Sequence, residues 1–481
     1  MSGNTNSRQQ RNKFKALCVG MLVLTASCAT VNSTPDAPQV PPNERARAAQ
    51  QHPQIVAQFG GAVEGPAAVY VTSIGEKVAT AAGVPGQCTF TLINSDVVNA
   101  FAVPGCYIYV TRGILAIMNS EDELASVLGH EVGHVIADHS DRRQNTATMG
   151  TLGAVLVGVL TGSGDLMQAA GQVAQVYTLG YSRDQEFEAD DLGVRYLLAT
   201  GYNPYGAADM LGALGVNDAL SARTSQREAA NAIPAWARTH PLSADRVTRA
   251  NARAQAAGAV RDNPPETARP YLEAIRGLTY GDDPAQGFVN GRTFSHPTLR
   301  ISFEAPQGFS LTNTATAVLI AGPNNLRAQF GAGALPQGGV EAHATAVLRQ
   351  ILGQTPAQVG QMQRRTTNGL ETAILPARAQ NQQGQVVDVA VTAYRVNDRA
   401  YHFITLAPAN GAGPMAPMLA SFRSLSEQQA AALRARRIEI VQVGARDTAE
   451  SLSRRMAFED YQLDRFLALN GRDAATPLRA G

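Results

Sequence analysis

A chain of 481 residues can bury more than one hydrophobic core, and 44% hydrophobic against 16% charged side chains excludes a disordered polyelectrolyte. Forty basic and 39 acidic residues leave a formal charge of +1, so no charge field argues for an anionic membrane surface as partner, and no nucleic acid is expected.

Arg8, Arg11, Lys13 and Lys15 precede the apolar run ALCVGMLVLTA (16–26), which is too short to anchor in a bilayer. This is the pattern of a bacterial export signal, residues 1–28. The run ends in LTASC, where Cys28 stands at the position a lipoprotein signal gives to the lipidated cysteine, although Thr25 occupies a place where Leu is usual. Cleavage after Ala29 by an ordinary signal peptidase is the other reading. Ala29 rather than Asp after the cysteine directs the lipidated form to the outer membrane, facing the periplasm. Cys88 and Cys106 are the cysteines left in the mature body; in an oxidising compartment they form a disulfide or remain two separate thiols.

Residues 29–66 are rich in Pro, Gln and Ala and read as a tether that becomes ordered only near its end. From 67 to 260 the pattern is mainly helical, with one short strand region in CTFTLIN and CYIYVTRG. Residues 261–290, opening with RDNPPETARP, read as a linker. Alternating segments over 291–425, with a helix at GVEAHATAVLRQILG and another at PMAPMLASFRSL, predict an α+β domain on an antiparallel sheet. Its histidines, His296, His343 and His402, read as scattered surface or core residues without a metal. Residues 436–481 read strand, helix, helix; they resemble an incomplete LysM module lacking its second strand, which implies contact with peptidoglycan, while solvated helix faces explain the charges equally well. The fold expected is therefore α+β and multidomain: a mainly helical domain with a short β-sheet, an antiparallel α+β domain, and a small βαα module.

The chemistry concentrates in VLGHEVGHVIADH (127–139). Ser120 and Glu123 form a capping-box pattern, and Leu124, Val127, Leu128, Val132, Val135 and Ile136 recur at helical spacing. On such a helix His130 and His134 lie about 40° apart, with Glu131 inside the same arc of about 100°. Burying these groups without partners would cost about 1–3 kcal/mol each, so a structural role explains them poorly. Two neutral imidazoles suit one Zn²⁺, which lowers the pKa of a bound water to about 7; Glu131 stays off the metal, takes the water's proton and hands it to a leaving amine. Gly133 permits close approach of another segment.

A third ligand is required. The pattern with a third histidine is excluded because Ala137 and Ser140 stand at its last two defined places. His139 is one residue early and is expected to point elsewhere on the helix as a non-ligand. Downstream, SRDQEFEADDLGVRYLLATGYNP (182–204) predicts a second helix stopped by Gly201 and Pro204, with Glu186 and Asp190 four apart on one face. Either it is an exposed acidic helix, or one acid completes the site while the other supports a ligating imidazole.

Three segments in order, NAFAVPGCYIYVTRG (99–113), HEVGH and SRDQEFEAD, resemble the M48 zinc metallopeptidase family, which includes Ste24-type and HtpX-type proteases, over residues 67–255. The resemblance implies a zincin-like peptidase domain, Glu186 as third ligand, Asp190 as its outer support, and Glu188 facing away. It places Cys106 where the family has a second glycine. It implies an edge strand at Asn99, Ala100 and Phe101 that holds substrate through main-chain hydrogen bonds. THPLSADR (239–246) is similar to the family's T-H-P-x-x-x-x-R element, which puts His240 and Arg246 near the metal. His240 then closes a latent site as fourth ligand, stabilises an oxyanion, or is a plain loop histidine. The apolar run TMGTLGAVLVGVLTGSG (148–164) is too short to span a membrane and is expected to roof the cleft. The function expected is a tethered zinc endopeptidase cutting misfolded or unassembled envelope proteins; the alternative is a chaperone-like assembly factor whose zinc site is mostly latent.

Overall fold

A computed structural model of the protein describes residues 38–140, 180–224, 235–241, 244–262, 265–380, 384–472 and 477–480. The export signal with Cys28, and the run 148–164 expected over the cleft, lie outside these residues. No helix of the described residues is long and apolar enough to cross a membrane.

Residues 29–66, expected as a tether, include helix α1 (Pro42–Gln58). Its Ala48 and Ile55 are buried against Ile93, Phe101 and Tyr109. Burying an isoleucine is worth about 1.5–3 kcal/mol, which favours a docked helix over a free one. Helix α2 (Pro66–Ala81) follows, then strands β1 (Thr89–Ile93), β2 (Ala100–Val103) and β3 (Tyr107–Thr111). β1 and β3 pair in parallel and β2 pairs antiparallel with β3, so β2 is the outer strand of a three-stranded sheet.

Helix α3 (Glu121–Ile136) starts at Ser120, whose Oγ accepts the Glu123 amide at 3.3 Å. The expected capping box is displaced by one residue: Glu123 accepts the Asn119 amide, at 3.2 Å, instead of the amide of Ser120. Burial pushes the Glu123 carboxyl up to about 8. Helix α4 (Arg183–Thr200) has a complete box, Ser182 with Gln185, and stops at Gly201, whose φ of 81° is left-handed. Helices α5 (Tyr205–Thr224), α6 (Ala235–Thr239) and α7 (Ala244–Ala256) complete the helical region. Leu124, Leu128 and Val132 of α3, Leu192 and Leu197 of α4, and Leu211 and Leu214 of α5 share one core with β1 and β3.

The expected linker 261–290 is built into this core. It contains α8 (Ala268–Ile275), whose Tyr271 is buried and donates its hydroxyl to the Leu115 carbonyl at 2.6 Å. It continues through β4 (Thr279–Tyr280) to β5 (Phe288–Asn290). Proline-rich composition marked a boundary here, but two aromatic and aliphatic anchors suffice to pin so short a stretch.

Beyond it, β6 (Thr293–His296) and β7 (Ile301–Glu304) join β5 in a small antiparallel sheet. Strands β8 (Ser310–Asn313), β9 (Val318–Ala321) and β10 (Arg327–Ala334), helix α9 (Gly339–Leu352), and strands β11 (Ala357–Val359), β12 (Gln363–Thr367), β13 (Leu370–Gln380), β14 (Val386–Val396) and β15 (Arg399–Pro408) form an antiparallel sheet in the order β11-β13-β14-β15-β10-β9-β8, with β12 also on β13. Val340, Ala344 and Leu348 of α9 pack on Val389 and Val391 of β14. The helix expected at 414–425 is shorter, α10 (Ala416–Ser421), and gives way to β16 (Arg423–Ser424) on β7. After α11 (Glu427–Ala432), strand β17 (Arg436–Arg437) and helices α12 (Ala449–Ser453) and α13 (Gln462–Leu469) follow in the expected order. The partner of β17 is β4, which precedes the α+β region in sequence.

Candidate metal centre

Helices α3 and α4 meet through a seam without side chains. A Cβ placed on Gly129 would stand 3.2 Å from the Gly193 Cα, and one on Gly133 would stand 3.2 Å from the Ala189 carbonyl oxygen. That approach brings the histidines of α3 and the acids of α4 to one point. His134 Nε2 lies 2.9 Å from His130 Nε2, Glu186 Oε1 lies 3.4 Å from His134 Nε2, and Glu186 Oε2 lies 3.6 Å from His130 Nε2. His240, just beyond α6, adds its Nδ1 at 3.0 Å from Glu186 Oε1 and 3.2 Å from His130 Nε2. Donor atoms of His130, His134, Glu186 and His240 all lie within 4.8 Å of one another, and all four side chains are buried.

A ring of acceptors and cations fixes these donors. Asp190, one turn after Glu186, accepts from His130 Nδ1 at 2.9 Å, which leaves the Nε2 lone pair facing the cluster. Arg246, itself buried, grips Asp190 with Nε at 2.8 Å and Nη2 at 2.7 Å, and its Nη1 also touches Glu186. Tyr181 stacks on His134 with ring centroids 3.7 Å apart, and Trp236 stacks on His240 at 4.4 Å.

The electrostatics suit a cation. Burial and the neighbouring His130 hold His134 well below the ordinary imidazole value, so it is neutral and able to ligate. Burial opposes ionisation of Glu186, but His240, His134 and His130 outweigh it and hold the carboxyl well below its usual range. Burial likewise works against the charged form of His130, yet the Asp190 hydrogen bond and the Glu186 charge raise it above its ordinary value. Glu131 is fully buried, and neither of its carboxylate oxygens has a hydrogen-bond partner among the described residues; His240 Nε2 stands 3.5 Å from Oε1. Two imidazoles, an ionised carboxylate and a further buried acid gathered in one pocket fit a divalent ion of zinc's preferences.

The remaining expected residues fall as follows. Ala100 and Phe101 lie in the outer strand β2, which runs beside α3. The Phe101 ring stacks on Tyr109 at 4.9 Å and belongs to the core under α1. Asn99 is buried with neither side-chain polar atom hydrogen-bonded, while its carbonyl accepts the Thr111 hydroxyl at 2.7 Å. Cys88 and Cys106 are joined in a disulfide, which resolves the two readings of that pair. The bridge holds Cys106 at a φ of 59°, directly after Gly105 at 92°, a left-handed turn that a glycine would otherwise occupy.

His139 departs from expectation. It stays off the donor cluster but does not point away, because α3 ends at Ile136 and Asp138 takes a left-handed φ of 52°. The chain turns back and sets His139 behind His134. Glu188 does face away from the cluster, and it meets His139. His343 and His402 are not scattered: they form a buried pair with Nε2 and Nδ1 3.0 Å apart. Sequence reasoning also missed Tyr181 and Trp236. The chain's single tryptophan lies four residues before His240, a helical spacing that was available as a signal.

Residues 67–254 match the family described as Peptidase family M48. The beta-barrel assembly-enhancing protease of Yersinia pestis is 29% identical over 227 residues, 44% of each chain. That of Escherichia coli strain K12 is 30% identical over 195 residues, 38% of each. The mitochondrial metalloendopeptidase OMA1 of Arabidopsis thaliana is 36% identical over 133 residues, 27% of this chain and 26% of that one. The chain thus spans less than half the length of each of these relatives.

Proposed function

Residues 67–254 are a Peptidase family M48 domain, and on that premise we propose that this chain is a zinc-dependent endopeptidase of the bacterial cell envelope, hydrolysing peptide bonds in misfolded or unassembled proteins. The observation that carries the reading is the buried convergence of His130, His134 and Glu186 beside a Glu131 carboxylate that has no hydrogen bond of its own.

In this reading His130, His134 and Glu186 hold one zinc ion per chain. Zinc, when bound, supplies Lewis acidity that acidifies water and polarises a peptide carbonyl. Glu131 takes the proton of the attacking water and delivers it to the departing amine nitrogen, so the carboxylate ends the cycle as it began. Asp190 keeps His130 in the tautomer whose Nε2 faces inward, and Arg246 holds Asp190 in place. Strand β2 around Ala100 binds substrate in extended form, whereas the main chain of Asn99 is engaged by Thr111.

His240 gives the reading a resting state. Its Nδ1 lies among the zinc donors and its Nε2 beside Glu131, so in this position it shields the site, and swinging out it is placed to stabilise an oxyanion. The same observation supports the alternative of a chaperone-like assembly factor with a latent site. For location, the disulfide favours an oxidising compartment, consistent with the periplasm and with anchoring to the outer membrane through Cys28. A contact of residues 436–481 with peptidoglycan is proposed on their LysM-like sequence pattern alone.

Cleavage of casein by the purified chain, with and without chelator, tests the proposal. Glu131→Gln should retain zinc and lose about 10²–10⁴ of the rate. Equal cleavage by that variant would remove the mechanism, and rescue of an envelope defect by it would favour binding over hydrolysis.

A further inference from the structure

We propose that His139, backed by Glu188, is a positioning residue that fixes His134 for metal binding; this rests on the zinc reading above. His134 Nε2 faces the donor cluster, and its other ring nitrogen, Nδ1, lies 2.7 Å from His139 Nδ1. His139 Nε2 lies 3.1 Å from Glu188 Oε2. The directions of these bonds follow from the end of the chain, because a carboxylate only accepts. With the His139 ring neutral, its Nε2 carries the proton given to Glu188, its Nδ1 is an acceptor, and His134 Nδ1 donates to it. That leaves the lone pair of His134 on Nε2, the atom turned to the cluster.

The arrangement parallels the one on the other ligand, where Asp190 accepts directly from His130 Nδ1. Here an extra imidazole spans the gap between ligand and carboxylate. Both supports come from α4, which also carries Glu186, so one helix provides a ligand and backs both histidines. Gln185, at the start of the same helix, donates its Nε2 to the His139 carbonyl at 3.1 Å and pins the backbone of the turned-back segment. His139 is fully buried, and the Tyr181 ring lies flat on His134, so His134 is held on one edge and one face. A core histidine kept only for packing would not need a carboxylate at its far nitrogen, and Glu188 is half exposed, which means that it reaches inward from the rim for this contact.

The test uses the full chain, stripped of metal and titrated with zinc against a competing chelating dye, and in parallel loaded with Co²⁺ for its visible absorption. Outer partners of ligating histidines are worth about 10–100-fold in metal affinity, so His139→Ala should weaken zinc by that factor and alter the cobalt spectrum. His139→Gln offers a carbonyl oxygen to His134 and an amide N–H to Glu188, and should restore most of the affinity and the wild-type spectrum. Glu188→Ala should weaken zinc by less, and should add nothing in the His139→Ala background. Thermal unfolding of each metal-free variant checks that the fold is kept. Wild-type affinity and spectrum in His139→Ala overturn the proposal, as does a His139→Gln variant no better than His139→Ala, which would reduce His139 to packing. A wild-type chain that binds no zinc overturns the reading of the site itself, and the proposal with it.

Discussion

Two groups of buried histidines lie in different parts of this chain and use the same side chain in opposite ways. In the helical region His130, His134 and His139 are each tied to a carboxylate, directly or through one another: Asp190, Glu186 and Glu188. In the α+β region His343 of α9 and His402 of β15 pair with each other, and among the described residues no carboxylate is bonded to either; burial lowers both, His402 to about 4 with His343 adding to the effect. The first group is oriented, with His130 and His134 turning Nε2 to one point and His139 standing behind His134. The second is a pair of neutral rings filling space between a helix and a sheet. What separates the two groups is thus the carboxylates around the rings rather than the imidazoles themselves.

Removing metal is the strongest way to break this contrast. If zinc is held at a thousand times its dissociation constant, its loss costs about 4 kcal/mol of stability. Chelation should therefore strip hydrogen-exchange protection from α3 and α4 and leave β14 and β15 unchanged; equal loss in both regions would erase the distinction. The disulfide comes next. Cys88 and Cys106 are 18 residues apart and close a loop that includes the outer strand β2. Replacing both by alanine should cost about 3 kcal/mol in urea unfolding, with the opening localised to β1–β3.

Acid sharpens the comparison from the other side. His402 takes its proton at about 4 in the folded chain against an ordinary value of 6.5, so between these values the unfolded chain binds more protons and stability falls as pH falls. From pH 7 to pH 5 the α+β region should lose about 2 kcal/mol, read as faster exchange in β14 and β15, and His402→Gln should flatten that slope. Smallest of all is the link between α5 and the last helix. Arg223 and Asp464 pair at 2.8 Å but are 55% and 38% exposed, so a double-mutant cycle should return less than about 1 kcal/mol.

Much of the site was legible because its signals are local. The helix cap at Ser120, apolar periodicity and the four-residue spacings of His130 with His134 and Glu186 with Asp190 all act within one or two turns. Choosing Glu186 over Asp190 as the inner acid came from a family pattern, since spacing alone places both on one face. The misses are tertiary or conformational. His139 was projected along a helix that stops three residues earlier. Residues 42–58 bury only a few apolar side chains, too few for composition to distinguish a docked helix from a tether. Strand β17 is two residues long and pairs with a segment far away in sequence, so no window of the chain contains its signal.

The contact between Gly129 and Gly193 sets the tolerance of the whole pocket. A single methyl on either residue would act as a shim: it would stand 3.2 Å from the backbone opposite, which would have to yield by a few tenths of an ångström at the seam that brings Glu186 to His130 and His134. The spacing of the donor cluster is therefore set by two missing side chains, and resizing the proposed ion site for a wider cation would start at positions outside it.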